Sequence, residues 1–403
     1  MNKNFNELQV EIGKTARNDF VSSKQHELLP KQIAYACKTG IDTAIAFWAS
    51  LNFSRKGPCK VLIVGEGDSY PAAIVAKHKL QKVLESPFIE VMTPHYAIRK
   101  LALCLYSFKL VAHPPVYDMV IAISYSGKSP EILEVYNYCT SAKIPFRLIT
   151  CGEYQEVSSN YPDCGKENIF CFPHNDDAEE GLLSMAATLV PLFPFIAHPN
   201  AFDVTTQTSY MFNLANAKMF VDNLDTSQIA NSLRRSPIVH IFYDSFTEAT
   251  AVDLDNKFTK SGIASVVMHE KKDFSHGRYS TLYKNRFGLV INLTQKKETD
   301  NKVTYGYRYE ALLEDFLRKI CDYSSAFYME IPIVNYRVFP YNEDPLETKA
   351  YLANFKGLAI VPYLIAALGE ELGIDISRPI TPLLPQIPFS EEVDALRNYN
   401  GSF

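Results

Sequence analysis

The segment from Asp118 to Glu131 restricts the fold more than any other part of the chain. An apolar run, Met119-Val120-Ile121-Ala122-Ile123, stops at Ser124-Tyr125-Ser126-Gly127-Lys128-Ser129, and an amphipathic stretch opens at Pro130-Glu131. A buried strand that breaks into a hydroxyl-rich turn and passes straight into a helix belongs to a layered α/β architecture. Chemically the turn is an anion cradle, because a helix start leaves backbone N–H groups unpaired and its dipole favours negative charge. Ser124, Ser126 and Ser129 add hydroxyl donors, and Gly127 permits close backbone approach by a phosphate oxygen. The same residues also make an ordinary capped β-to-α turn, since serine is a favoured cap. Three hydroxyls, however, exceed what one cap requires.

Upstream, Lys60-Val61-Leu62-Ile63-Val64-Gly65-Glu66-Gly67-Asp68-Ser69-Tyr70 reads again as buried strand, Gly-rich turn and helix start. No Gly-Lys-Ser/Thr closes it, so it is not a Walker loop, and Tyr70 stands where a dinucleotide fingerprint needs its third glycine. Taken with the serine turn, it points to two adjacent strand ends meeting around one small phosphate.

The remaining sequence repeats this plan. Strands are expected at Val61–Val64, Phe88–Met92, Met119–Ser124, Phe146–Thr150 and Ile169–Phe172, with helical stretches between most of them. A second series follows: strand Pro237–Tyr243, helix Glu248–Ser261, strand Ser265–His269, strand Phe287–Leu293, helix Tyr309–Lys319 and strand Phe327–Val334. Near-continuous apolar strands alternating with helices imply parallel sheets covered on both faces. We expect a helical lead-in over residues 1–55, a first lobe over 56–212, a helical connector over 213–235 and a second lobe over 236–403 with a Pro-rich tail. Ile33, Cys37, Ile41, Ile45 and Trp48 recur at helical spacing and should line one apolar face of the lead-in. The apolar run 352–372 carries Asn354, Lys356, Pro362 and Glu370, which marks a bent core helix rather than a membrane span.

The Gly67-Asp68-Ser69-Tyr70 and Ser124-Tyr125-Ser126-Gly127-Lys128-Ser129 turns together resemble the sugar isomerase (SIS) domain. Glu180-Gly181-Leu182-Leu183-Ser184 is similar to the run closing the first lobe of double-SIS proteins, and Asp273-Phe274-Ser275-His276-Gly277-Arg278 to the His-Gly turn of the second. The resemblance implies two SIS lobes, each a doubly wound, flavodoxin-like, three-layer α/β unit. It implies a phosphorylated sugar held by Gly67, Ser69, Ser124, Ser126, Gly127 and Ser129, with Tyr125, Glu180 and Arg278 contacting substrate. His276 would open the sugar ring as a general acid/base. The family's proton-shuttling glutamate has no clear counterpart on the Glu248–Lys260 helix, where Glu248, Asp255 and Lys257 are the candidates. Glu248 also suits a plain dipole-matching role at a helix start.

The loop 375–381 has no lysine of the aminosugar-forming kind, and residues 1–55 are too few for a glutaminase segment, so none is expected. These departures direct the expectation to an aldose–ketose isomerase or an amino-phosphosugar deaminase or deglycase, working through an enediol(amine). The alternative is a non-catalytic sensor that reads a phosphorylated sugar or nucleotide. No metal or cofactor is expected, because a proton next to a carbonyl can be moved with hydrogen-bond stabilisation of the enediol oxygen. A homo-oligomer, dimer or tetramer, is implied by the resemblance.

Composition narrows the rest. A net charge of -5 argues against a nucleic-acid partner. The absence of an apolar signal core or span argues for a cytoplasmic protein without a membrane partner. Eight cysteines without Cys-x-x-Cys spacing suit reduced apolar fillers. Lys271-Lys272 and Lys296-Lys297 read as solvated loop charges.

Overall fold

The computed structural model describes residues 21–51, 59–86, 88–111, 117–172, 186–196, 204–280, 282, 286–294, 305–333, 346–374 and 376. Two helices lead in, α1 (Val21–Thr39) and α2 (Ile41–Ser50). The first lobe follows as β1 (Val61–Gly65), α3 (Ser69–Val83), β2 (Ile89–Met92), α4 (Pro94–Val111), β3 (Met119–Ser124), α5 (Pro130–Ala142), β4 (Phe146–Thr150), α6 (Tyr154–Ser158) and β5 (Ile169–Cys171). Helices α7 (Val204–Asp222) and α8 (Thr226–Arg235) lead to β6 (Ile238–Tyr243), α9 (Glu248–Lys260) and β7 (Ser265–Glu270). Then come β8 (Leu289–Thr294), α10 (Tyr305–Ser324), β9 (Phe327–Pro332) and α11 (Leu346–Leu372).

Among the described residues every strand pairing is parallel. The first sheet runs β2-β1-β3-β4-β5 and the second β7-β6-β8-β9. Both are doubly wound, and in each the chain reverses direction beside its first strand, between β1 and β3 or between β6 and β8. Ligands of open α/β sheets sit beyond the carboxyl ends of strands at such switch points. Among the described residues, the two parallel α/β sheets expected from sequence are therefore present, one of five strands and one of four.

Alternation along each strand fills cores on both sides. Val61 and Ile63 enter one core, while Leu62 and Val64 enter another on the opposite face. The first of these cores is continuous between lobes, joining Ile63 and Ile121 to Ile241, Leu254 and Leu364. Helices α3, α9 and α11 lie in that shared layer, which is why 352–372 is apolar all round. It is one continuous helix with Pro362 inside it. Where α11 crosses α9, a Cβ on Gly357 would lie 2.1 Å from Thr250 Oγ1, so only glycine permits this approach. Among the described residues no helix is long and apolar enough to cross a membrane.

Two expectations need correction. Ile45 is 47% exposed, because the chain breaks at Gly40 and α2 restarts with a new phase that buries Ala44, Phe47 and Trp48. Lys271 is buried, not solvated. Its ammonium reaches Leu293 O at 2.6 Å and Glu310 Oε2 at 2.9 Å.

Candidate functional site

The first-lobe switch point is built by pairing β1 with β3 so that Gly65 stands opposite Ile123. This brings the turn 66–69 beside the turn 124–129. The Tyr125 N–H donates to Ser69 Oγ at 3.2 Å, tying one turn to the other. Within the serine turn, Gly127 N–H donates to Ser124 Oγ and Lys128 N–H to Ser126 Oγ, each at 3.2 Å. A hydroxyl that accepts keeps its own proton, so Ser69, Ser124 and Ser126 retain donor capacity toward an anion. Ser69 and Ser124 are buried and Ser126 is exposed.

Gly127 has φ +67, and a Cβ there would meet Thr150 Oγ1 at 2.8 Å. Thr150 itself donates to Tyr125 O at 3.1 Å and receives Gly152 N–H at 3.1 Å, bracing the turn from β4. The Tyr125 side chain packs partly buried against the shared core. Ser129 caps α5 by accepting from Ile132 N–H at 3.5 Å, with Pro130 and Glu131 in the first turn. Its hydroxyl differs from the others, because Glu66 Oε2 stands 2.5 Å away and Glu131 Oε2 3.0 Å.

Asp68 occupies the cap position of α3 but makes no cap bond. Its carboxylate turns to the other lobe, with Oδ2 3.2 Å from Lys257 Nζ and Oδ1 2.9 Å from Lys260 Nζ. Burial pushes its pKa up, but the two ammonium groups outweigh burial and hold it below the usual carboxylate value. Asn256 Nδ2 adds a bond to Gly67 O at 3.1 Å. Lys257 is fully enclosed, with 0% of its side chain exposed. Asp253, one turn earlier, accepts from Thr188 Oγ1 at 2.9 Å and is buried; desolvation lifts its pKa to about 6 against the pull of Lys257. A charged seam thus joins the second lobe to the residue preceding Ser69.

Glu248 opens α9 and is half-buried; desolvation raises its pKa, opposed by Lys77 of α3. Its charge acts on Tyr70, the neighbour of Ser69, and on Tyr243 at the end of β6; burial is the larger cause of the raised pKa of both phenols. Asp255 lies on the same helical face seven residues later. Its pKa is raised by burial and it accepts from Thr259 Oγ1 at 3.4 Å.

His276 and Arg278 sit on a widened helical turn, Phe274–Arg278, just beyond the edge strand β7, with Gly277 at φ +116. Both are exposed, and among the described residues His276 makes no hydrogen bond. Beneath the turn, Phe274 packs on Phe242 and His269. His269 Nε2 lies 2.8 Å from His240 Nδ1, and burial lowers both imidazole pKa values to about 4. Lys271 reaches across the end of β6 and fills the second switch point, where the first lobe has its cradle.

The structure therefore gathers Gly67, Ser69, Ser124, Tyr125, Ser126, Gly127 and Ser129, with Lys257 bonded to the same turn through Asp68. It sets Glu248 at the lobe interface and leaves His276 and Arg278 on a separate turn. Glu180 lies outside the described residues. Sequence reasoning assigned no role to Glu66, Asp68, Asp253, Asn256 or Lys260. The signal for the seam was lysine at both 257 and 260 on a helix whose register faces Gly67, but its partner is remote in sequence. Among the described residues no group of three or more His, Cys, Asp or Glu is placed to hold a metal ion.

No protein-family profile matches the sequence, and no curated protein matches it. Solved structures do match in shape. The C-terminal domain of glucosamine-fructose-6-phosphate aminotransferase from Francisella tularensis is 12% identical, with TM-score 0.59, covering 90% of this chain and 98% of that one. Glucosamine-6-phosphate deaminase from Thermotoga maritima is 13% identical, with TM-score 0.57, over 90% and 98%. Tagatose-6-phosphate ketose/aldose isomerase from Escherichia coli is 14% identical, with TM-score 0.57, over 87% and 94%. With its two parallel sheets wound in the same order about one shared core, the chain has the double-SIS fold.

Proposed function

We propose that the chain binds a phosphorylated sugar at the β1–β3 switch point and moves a proton on it. The product would be that of an aldose–ketose isomerase or an amino-phosphosugar deaminase or deglycase. The observation that carries this reading is the paired cradle, in which Ser69, Ser124 and Ser126 accept backbone N–H groups and keep hydroxyl protons for an anion. A phosphate dianion held there also faces the start of α5. The sugar carbons would then extend toward the lobe interface and Glu248.

Of the carboxylates on α9, Glu248 best suits the shuttle. Asp253 is enclosed against Thr188 and Asp255 is engaged by Thr259, whereas Glu248 stands half-buried at the start of the helix, where burial raises its pKa toward working pH. It would take the proton from the carbon beside the carbonyl and return it to the adjacent carbon through an enediol. In a deaminase or deglycase the corresponding enolamine would be reprotonated at carbon to an imine, and water adding to the imine carbon would expel the nitrogen as ammonia or amine and leave a carbonyl. His276, exposed on its glycine turn, would open the ring, with Arg278 donating to substrate oxygens. A second copy would deliver that turn to the cradle, which is how the proposed homo-oligomer enters the chemistry. Lys257, enclosed against Asp68, would position the turn rather than meet substrate.

The sensor reading is favoured by one observation: Lys257 is enclosed and Asp255 is engaged by Thr259, so two of the four catalytic candidates are committed within the protein. Incubation with hexose and amino-hexose phosphates in heavy water separates the two readings. Deuterium entry at the carbon next to the carbonyl, abolished by Glu248→Gln, supports the enzyme. Thermal stabilisation without exchange supports the sensor.

A further inference from the structure

The cradle contains a charge that does not suit it. Glu66 is the residue between the two glycines of the first turn, and its Oε2 stands 2.5 Å from Ser129 Oγ. That separation belongs to a hydroxyl donating to an ionised carboxylate. Ser129 has one proton, so its hydroxyl cannot donate to Glu66 and to a phosphate oxygen together. Glu131 Oε2, 3.0 Å from the same oxygen, adds a second carboxylate. The lysines around the mouth are already engaged: Lys128 with Glu156 at 2.6 Å, and Lys257 and Lys260 with Asp68. Glu66 comes from the β1 turn and Ser129 from the β3 turn, so their bond spans the gap a phosphate would bridge.

We propose that Glu66 is an internal anion mimic whose carboxylate holds the Ser129 hydroxyl in the free protein and is displaced by the incoming phosphate ester. Glu66 is then the residue that sets head-group affinity and keeps the cradle from filling with inorganic phosphate. The proposal rests on the phosphosugar reading above. An ester that also contacts the lobe interface carries enough additional binding to displace the carboxylate; free phosphate does not. Because Glu66 is exposed, its effect on affinity is moderate rather than absolute.

The test is calorimetric titration of the full chain at fixed ionic strength with inorganic phosphate and with glucose 6-phosphate, fructose 6-phosphate and glucosamine 6-phosphate. Wild type is compared with Glu66→Ala, Glu66→Gln, Ser129→Ala and the Glu66→Ala/Ser129→Ala pair. Glu134→Gln serves as a control for removing an exposed acid of α5. Glu66→Ala should tighten inorganic phosphate about tenfold, or roughly 1.4 kcal/mol, and the sugar esters by at least as large a factor. Glu134→Gln should change either by under threefold, and on the Ser129→Ala background the gain from Glu66→Ala should fall below twofold. A wild type that binds esters while the Glu66 variants bind no tighter overturns the gate and leaves the cradle standing. A gain that persists undiminished without Ser129 also overturns it, because the effect is then general repulsion. If wild type and all variants bind no phosphate ester, the cradle reading itself falls, and the gate with it.

Discussion

Asp68 Oδ2 lies 3.2 Å from Nζ of the fully enclosed Lys257, and this pair couples the second lobe to the turn that presents Ser69. The pair joins α9 to the turn that opens α3, two helices of the layer the lobes share. Asp68 sits where a cap would be, yet gives its charge to α9. The first turn of the cradle is thereby fixed from both sides, by Tyr125 N–H on Ser69 and by two lysines on Asp68.

Removing one partner of a buried pair costs more than removing both, since it leaves a charge uncompensated. Asp68→Asn should therefore destabilise the protein by about 3–5 kcal/mol in denaturant titrations. Asp68→Asn combined with Lys257→Met should recover part of that loss. The Asp68 pKa lies below its ordinary value, so its contribution is present above the unfolded value of about 3.9 and is lost as pH falls through the folded one. Wild type should accordingly lose stability below about pH 4 more steeply than the double variant.

Asp253 titrates in the opposite sense. Its folded pKa, about 6, exceeds its unfolded one, so its contribution to stability is full below the unfolded pKa and falls away as pH rises to 6. Asp253→Asn should raise stability by roughly 1–3 kcal/mol at pH 7–8, with the benefit vanishing below about pH 4. Melting curves across that range check both sign and window.

The His240–His269 pair has folded pKa values of about 4, below the ordinary imidazole value. Stability from this pair is present above about pH 6.5 and is lost as pH falls toward the folded values. His269 also underlies Phe274, so acid should loosen the His276 turn before the cradle. Hydrogen exchange at pH 5 against pH 7.5, with each rate divided by its intrinsic value at that pH, should show lower protection across 271–280 at pH 5 and little change across 119–132. His269→Gln should remove most of the difference.

The cradle elements were readable in the sequence because both signals are local. An apolar run ending in Ser-x-Ser-Gly-x-Ser specifies strand, turn and helix within 118–131, and β3 and β4 span the residues expected. What escaped sequence reasoning depends on partners far along the chain. Lys271 resembles any loop lysine until the fold brings Glu310 and Leu293 O to it. Ile45 satisfies a helical period that Gly40 interrupts. Glu66 resembles turn filler until the β1–β3 pairing places it on Ser129.

Gly127 gives a more local prediction. At φ +67, with Thr150 Oγ1 and Val157 within 3.0 Å of any added Cβ, Gly127→Ala should strain the serine turn directly. A loss of about 1–3 kcal/mol of stability should accompany at least tenfold weaker phosphate capture.

The proposed intersubunit chemistry predicts complementation. Ser124→Ala and His276→Ala chains, each inactive in the heavy-water exchange assay, should regain part of wild-type activity when unfolded together and refolded as a mixture. Mixed refolding that restores nothing would place ring opening within one chain.

Whether a phosphate monoester docks among the serines beyond β3 is tested most directly by a structure of the protein soaked with a hexose 6-phosphate. The phosphate should lie within hydrogen-bond distance of Ser69, Ser124 and Ser126, with Glu66 withdrawn from Ser129. An empty cradle, or an ester bound only in the cavity of about 560 Å³ lined by Arg235, Ser236 and Arg286 at the opposite ends of β6 and β8, would contradict the account.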